Sequence, residues 1–507
     1  MSRLLEQLSA WKPFTAIVVG DYMLDQLVFG NADRLSPEAP VPVLHVQRSE
    51  DRPGGAANVC LDLVAMKATV HALGVTGDDR DADLLRSALV SSRVNADSLV
   101  TDASRPTTVK RSLIGLAQHR HPQKMFRVDL ESREPLSAEI ERALIARFES
   151  LVESADVVCI EDYNKGVCTQ NLCQAVIRAS KKARGGRGVP VLVDPAAIED
   201  YSKYRGCSTI TPNRTEASLA TGREIADDAA PEKHAPVAKK LMEDLDLEAA
   251  VITLDRHGAL LLEKGKKALT VPTVARQVYD VTGAGDMVLA ALAGARANGI
   301  SWPDAVRLAN AAAGLEVEVF GVVPMSIEKI HREVMLREGA HGGMNGKVRT
   351  LDQLLVEVAA HRNDGKKVVF TNGCFDVLHK GHLTLLRRAA DEGDFLIVGV
   401  NSDESVRRLK GGKDPSRPIN NENDRAEMLG GLECVDAVVV FGEDTPAELI
   451  RAVGPDVLVK GAEYSVDKVV GADVVQGRGG RVVLVTMVDG KSTTAIVAKA
   501  REARSKA

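Results

Sequence analysis

The stretch Asp280–Asp286, DVTGAGD, with the apolar run MVLAALAGA (Met287–Ala295) behind it, decides how the first two-thirds of the chain is read. Glycines at 283 and 285 leave the backbone bare, so its N–H groups can approach an anion closely. The apolar run has the composition of a buried helix, and a helix N-terminus adds partial positive charge to those donors. Asp286 stands at that helix start. A carboxylate there can accept the proton of a hydroxyl while neighbouring N–H groups hold a transferring phosphoryl group. The same residues also read as a glycine-rich turn whose aspartate caps the helix. Context decides between the two.

Upstream, strand-like runs TAIVVGDYMLD (Thr15–Asp25), ADVVCIED (Ala155–Asp162), VPVLVDP (Val189–Pro195) and AAVITLD (Ala249–Asp255) alternate with helical patterns. That alternation predicts an α/β unit built from βαβ segments around a mainly parallel sheet. VPVLHVQRSEDRPGGAAN (Val41–Asn58) reads instead as short strands around turns, a small β lid. Within it Gly54 and Gly55 let the backbone fold over a sugar, and Asn58 can hydrogen-bond a hydroxyl. Asp21 and Asp25 follow a strand end and suit sugar hydroxyls or a cap. In TPNRTE (Thr211–Glu216), Asn213 and Glu216 are three apart and share a face on a helical turn. They suit water-rich Mg²⁺ coordination near phosphates, or a helix cap. His257-Gly258 forms a tight turn after a strand. For a phosphorylated sugar, Lys110, Arg111 and Arg127 are unranked cationic anchors, and Arg34 is a further cation in the lid.

An early GGxxN, a middle NxxE and a late DxxGAGD, in this order, resemble the ribokinase-like (PfkB) family of carbohydrate kinases over roughly residues 12–330. The resemblance implies a ribokinase-like domain with a small β lid, ATP and Mg²⁺ as cofactors, a monovalent cation as a further one, and phosphorylation of a sugar hydroxyl. It implies Asp286 as catalytic base, with the amides of Gly283, Ala284 and Gly285 as anion hole. Asn213 and Glu216 would organise Mg²⁺, with Arg214, Thr215, Gly258 and Asn310 (in LANAAAG) in the ATP site. Asp21, Asp25, Gly54, Gly55 and Asn58 would hold the sugar. Such phosphoryl transfer works by positioning and electrostatics.

A second α/β pattern begins at KKVVFTNGCFDVLHKGH (Lys366–His382) and continues through FLIVGVNSD (Phe395–Asp403), DAVVVFGED (Asp436–Asp444) and DVLVKG (Asp456–Gly461). Between the two patterns, the glycine-rich REGAHGGMNGKV (Arg337–Val348) lacks apolar periodicity and marks a connection. The expected division is 1–337, a linker at 338–347, and 348–507. His379 and His382 share a face at a helix start, and Gly381 allows close approach of a phosphate. Two imidazoles aimed at one point suit the charge that builds on an α-phosphate during nucleotidyl transfer. HxxH lacks the glutamate and the i,i+4 spacing of a zinc HExxH. Gly373–His382 matches the GxFDxxHxGH signature and resembles the HIGH-type nucleotidyltransferases, a Rossmann-like fold, over about residues 345–500. That resemblance implies His379 and His382 as transition-state stabilisers. Phe375 and Lys460 would lie at ATP, with Ser492, Thr493 and Thr494 (in KSTTAIV) on its phosphates. Arg425 and Lys380 would be phosphate contacts. Cys374 has no paired base and is read as packing.

RLSPEAPVPVL (Arg34–Leu44), EDYNKGV (Glu161–Val167) and RPINNENDRAEML (Arg417–Leu429) are similar to the family of bifunctional heptose 7-phosphate kinase/heptose 1-phosphate adenylyltransferases. The resemblance implies ADP-heptose synthesis for lipopolysaccharide in the cytoplasm of a Gram-negative bacterium, with a separate phosphatase acting between the two reactions. It also implies a homodimer formed through the lid. Two rivals stay open: the same architecture on another sugar phosphate or with CTP, and a non-catalytic sugar sensor. Composition agrees with a multidomain enzyme of small molecules. The 507 residues exceed one core, which stops growing near about 250–300. A net charge of −5 and 3% aromatics leave no footprint for nucleic acid or for an anionic membrane surface. No apolar run nears the roughly 18 residues of a membrane span, and Glu6 and Gln7 interrupt any signal-peptide segment. Seven scattered cysteines without a CxxC pair fit reduced thiols.

Overall fold

The computed structural model describes residues 3–116, 122–225, 231–273, 281–319, 321–339, 346–410, 417–462, 465 and 468–486. The chain forms two compact units, Ala10–Ile330 and Met1–Ser9 with His331–Ala507. The division falls inside the helix Ile327–Gly339, ahead of the glycine-rich stretch, most of which lies outside the described residues.

The first unit holds a nine-stranded sheet. Its spatial order is Leu269–Val271, Ala259–Glu263, Ala249–Thr253, Thr209–Ile210, Val191–Asp194, Val157–Glu161, Phe14–Gly20, Ala68–Thr76, Val100–Thr101. All neighbours run parallel except the two hairpin pairings at the Leu269 edge. Apart from Thr15 and the terminal Glu161, FTAIVVG and VVCIE are apolar, and they are almost wholly buried, as strands covered by helices on each side must be. On one face Ile17, Val158 and Ile160 pack with Leu144, Phe148, Leu172 and Leu241 from three helices. The helix Ala284–Ala297 packs on the strands Val157–Glu161 and Val191–Asp194 and against the helices Ala56–Ala65 and Trp302–Glu316.

Register brings the acids together. Gly20 pairs with Glu161, and Glu161 with Asp194, at the carboxyl ends of three adjacent parallel strands. Ligands bind at that end of a doubly wound sheet. The chain passes through Asp21 directly into the lid, a four-stranded sheet ordered Pro42–Gly55, Tyr22–Leu35, Thr108–Gly115, Gln123–Leu130.

The second unit is a six-stranded, wholly parallel sheet ordered Val348–Arg349, Ala437–Phe441, Phe395–Asn401, Val368–Gly373, Val457–Gly461, Arg481–Val485. Chain order proceeds one way from Val368–Gly373 and then reverses to its other side. The motif loop 373–379 therefore leaves the sheet at the topological switch point. Among the described residues no helix is long and apolar enough to cross a membrane.

Candidate active sites

The helix Ala284–Ala297 begins after Gly283, whose φ of 91° is left-handed; a Cβ there would lie 2.6 Å from Glu316 Oε1. Only glycine fits both demands. Ala284, Gly285 and Asp286 form the first turn, where N–H groups have no intrahelical acceptors. The Asp286 carboxylate is buried and held at both oxygens. Asn58 Nδ2 donates to Oδ2 at 2.7 Å, and the Tyr163 hydroxyl donates to Oδ1 at 3.0 Å. Burial pushes its pKa up to about 6, against the pull of those two hydrogen bonds and of Lys110.

A cavity of 430 Å³ opens beside it, lined by Glu161, Asp194, Asn213, Glu216, Gly283 and Gly285 among others. Glu161, Asp194 and Asp286 each offer an oxygen within 4.8 Å of the others. Glu161 is 2% exposed, and its Oε2 has no hydrogen-bond partner among the described residues. Burial, then neighbouring carboxylates, pushes the pKa of Glu161 and of Asp194 well up. Sequence reading passed over Glu161 and Asp194. Each closes an apolar strand run, VVCIE and VLVD, and only register reveals that these ends adjoin.

Asn213 and Glu216 form a capping box at the helix Arg214–Thr221. Asn213 Oδ1 accepts the Glu216 N–H at 3.0 Å, and Glu216 Oε2 accepts the Asn213 N–H at 2.8 Å. The cap reading therefore describes two of their oxygens, while both residues still line the cavity. Arg214 turns its guanidinium to Leu254 O and Asp255, and Thr215 is exposed. Gly258 (φ 88°) closes a turn in which a Cβ would lie 2.1 Å from Val271 O. Asn310 donates its amide to that same carbonyl at 2.8 Å, so it ties helix to strand.

Asp21 needs correction. It is 1% exposed, and its carboxylate accepts the N–H groups of Tyr163, Lys165 and Val167 at 2.8, 3.0 and 3.4 Å. It fastens the loop 163–167, and this structural role accounts for its buried carboxylate. Its pKa rises to about 6, chiefly through burial and then Asp162. Asn58 also differs from expectation: its amide nitrogen serves Asp286, and its buried Oδ1 is without a partner among the described residues. Gly55 (φ 56°) lies against Asp21 O, and Ala56 N donates to that carbonyl at 3.1 Å. Gly54 lets Asp25 approach; a Cβ would sit 2.6 Å from its Oδ2.

Asp25 lines a second cavity, of 470 Å³, with Arg52, Lys110, Lys124 and Arg127. Four cations around one carboxylate mark an anion site. The pleat ranks the sequence candidates. Lys110 and Arg127 line the cavity, whereas Arg111 hydrogen-bonds Gln26 Oε1 on the opposite face. Arg52 and Lys124 escaped sequence reading because nothing local distinguishes them from surface cations.

In the second unit His379 caps the helix Lys380–Ala390, its Nδ1 accepting the His382 N–H at 3.4 Å. The two rings stack at 3.8 Å, with Phe375 edge-on to His382 at 5.1 Å. Burial lowers the pKa of both imidazoles, that of His382 to about 4. Each is neutral near pH 7 and offers one N–H donor. Lys460 bonds Asn372, and burial brings its pKa down to about 8. Burial raises the Cys374 thiol, consistent with packing. Arg425 is a correction: its side chain is fully buried and donates to Asn420 O, Cys374 O and Asp403 Oδ1 at 3.0, 2.6 and 2.7 Å. It is a strut that cannot reach a phosphate. Ser492, Thr493 and Thr494 lie outside the described residues.

The family model of pfkB family carbohydrate kinases matches residues 15–329, and the cytidylyltransferase-like model matches 370–496. The chain thus belongs to the pfkB family of carbohydrate kinases and carries a cytidylyltransferase-like nucleotidyltransferase behind the kinase. Along almost its whole length it is similar to curated proteins named bifunctional protein HldE. These include the proteins of Geobacter sulfurreducens (44% identity, 96% of this chain and 95% of that one) and Pseudomonas aeruginosa (46%, 96% and 97%). It is a bifunctional enzyme, kinase and nucleotidyltransferase, of families that use ATP. Among solved structures, ribokinase of Arabidopsis thaliana with ribose and ATP shares the fold (TM-score 0.50, 22% identity, 64% of this chain, 99% of that one). So does phosphofructokinase-2 of Escherichia coli with fructose-6-phosphate (0.51, 18%, 63% and 98%).

Proposed function

We propose that the first unit phosphorylates the anomeric hydroxyl of D-glycero-β-D-manno-heptose 7-phosphate with ATP. The second transfers the adenylyl group of ATP to heptose 1-phosphate, giving ADP-heptose and pyrophosphate. The observation that carries the kinase half is Asp286, a buried carboxylate at the head of the Gly283–Gly285 turn, with an acidic cavity beside it and a cationic one within its electrostatic reach. In this reading the cationic cavity holds the sugar's existing phosphate on Lys110, Lys124, Arg127 and Arg52. Asp25 and Asn58 Oδ1 meet its hydroxyls. Asp286 takes the proton of the attacking hydroxyl, and the first-turn amides stabilise the transferring group. Heptose itself rests on the likeness to the HldE proteins.

Mg²⁺ fits the acidic cavity, because Glu161 Oε2 is buried without a partner among the described residues and an Asp194 oxygen lies within 4.8 Å of a Glu161 oxygen. Glu161 and Asp194 would hold the ion, which supplies charge neutralisation for nucleotide phosphates. In the second unit the sugar phosphate attacks the α-phosphorus of ATP, and the neutral imidazoles of His379 and His382 donate to the charged transition state. We place the protein in the cytoplasm as a homodimer formed through the lid, where Phe126 is 67% exposed and Leu35 62%. Incubation with ATP, Mg²⁺ and either heptose 7-phosphate or heptose 1-phosphate, with products identified by mass, tests the assignment. The expected products are the 1,7-bisphosphate and ADP-heptose. Their absence while another sugar phosphate turns over would refute it.

A further inference from the structure

Tyr163 joins features that the kinase reading treats separately. Its hydroxyl donates to Asp286 Oδ1 at 3.0 Å, and its ring carries the Lys110 ammonium 4.5 Å from the centroid. Lys110 belongs to the cationic cavity, while Tyr163 and Asp286 line the acidic one. The ring therefore stands between the two cavities. Its backbone is fixed as well, because its N–H donates to the buried Asp21 at 2.8 Å. Lys165 and Val167 bind the same carboxylate. A side chain held at its backbone, its ring face and its hydroxyl has little freedom, and it passes that order to whatever the hydroxyl holds.

Asp286 needs such order. A carboxylate on a helix start can rotate about its Cβ–Cγ bond, and a base must present a lone pair to the hydroxyl it deprotonates. Asn58 alone fixes one oxygen. Tyr163 on the other removes the remaining rotation and leaves the outward lone pairs for substrate. Asp25, Lys110, Glu161, Asp194 and Asp62 also lie within electrostatic reach of Asp286. None of them has a hydrogen bond to it among the described residues.

Resting on the kinase reading above, we propose that Tyr163 is a positioning residue with two separable contacts. Its hydroxyl orients the Asp286 carboxylate for proton transfer, and its ring face seats Lys110 for the sugar phosphate. The two contacts separate by substitution. Tyr163→Phe keeps the ring and loses the donor. Tyr163→Leu loses both.

The test is steady-state kinase kinetics of the full chain with ATP-Mg²⁺ and the sugar phosphate it turns over. For Tyr163→Phe the expected result is a kcat lowered about tenfold or more, as small misplacements of catalytic groups produce, with KM for the sugar phosphate within about threefold. Tyr163→Leu should add a rise in KM of about fivefold or more, since a cation on an aromatic face contributes on the order of 1 kcal/mol. 3-Fluorotyrosine at 163 keeps shape, ring and donor and should retain kcat within about threefold, which also covers the case in which a smaller side chain fails to fold. A Tyr163→Phe enzyme with wild-type kcat, a loss confined to KM, or a fluorotyrosine enzyme as impaired as the Phe variant would overturn the proposal. Asp286→Asn is measured alongside. If it keeps turning over, the reading of the site fails. If it is inactive while Tyr163→Phe is unaffected, only the role of Tyr163 fails.

Discussion

Arg425→Met should destabilise the second unit and leave the kinase untouched. The Arg425 side chain has no solvent exposure and makes one ion pair, to Asp403, and two bonds to the carbonyls of Asn420 and Cys374. Removing one partner of a buried ion pair costs about 3–5 kcal/mol, mostly from the charge left behind. Asp403 keeps 20% side-chain exposure and starts the helix Asp403–Lys410, where partial positive charge favours it. The lower end therefore applies, about 3 kcal/mol. For a unit of this size each kcal/mol moves the midpoint by about 2–4 °C, so the expected fall is about 6–12 °C. Differential scanning calorimetry of the full chain reads it, with kinase turnover as internal control. Adenylyl transfer below the transition should keep its KM for ATP within about threefold, because methionine fills much of the volume and Arg425 touches no nucleotide. An unchanged melting profile with KM for ATP raised tenfold would refute the strut and restore Arg425 as a phosphate contact.

Lys110→Met should raise KM for the sugar phosphate about 10–100-fold, the scale of one charge-assisted hydrogen bond, with a smaller change in KM for ATP; equal changes in both would contradict the cationic cavity as the sugar-phosphate end. His361 is 3% exposed, neither ring nitrogen has a hydrogen bond among the described residues, and burial lowers its pKa to about 4. A folded-state value below the unfolded 6.5 means that stability is intact above pH 6.5 and lost as the pH falls towards 4. Urea denaturation at pH 7.5 and pH 5 should therefore show an acid loss in the second unit's transition that is smaller in His361→Leu than in wild type by on the order of 1–2 kcal/mol, His382 keeping its own share of the loss. Equal acid losses in the two proteins would refute it.

The parallel sheets were legible because apolar strand runs and helical patterns alternate along the chain, and the lid because its early strands do not. Asp286, His379 and His382 were legible because glycines and a helix start flank each of them. Glu161 and Asp194 were not: their adjacency comes from register between strands 33 residues apart in sequence. Asp21 and Arg425 show the opposite failure. Both are polar residues near a motif, which favours ligand binding in a local reading. Tertiary packing instead buries both, the first on three backbone N–H groups and the second on two carbonyls and a carboxylate. The motif NxxE carries a double meaning that spacing alone cannot separate, since the i,i+3 geometry that would serve a cation also closes a capping box.

The central claim is that two independent catalytic sites lie in one chain, one at Asp286 and one at His379 and His382. It is tested most directly by assaying both reactions, side by side, in Asp286→Asn and His379→Ala. The account expects Asp286→Asn to abolish phosphoryl transfer with adenylyl transfer at the wild-type rate, and His379→Ala to do the reverse. A folded variant of either kind that loses both activities, or neither, would contradict it.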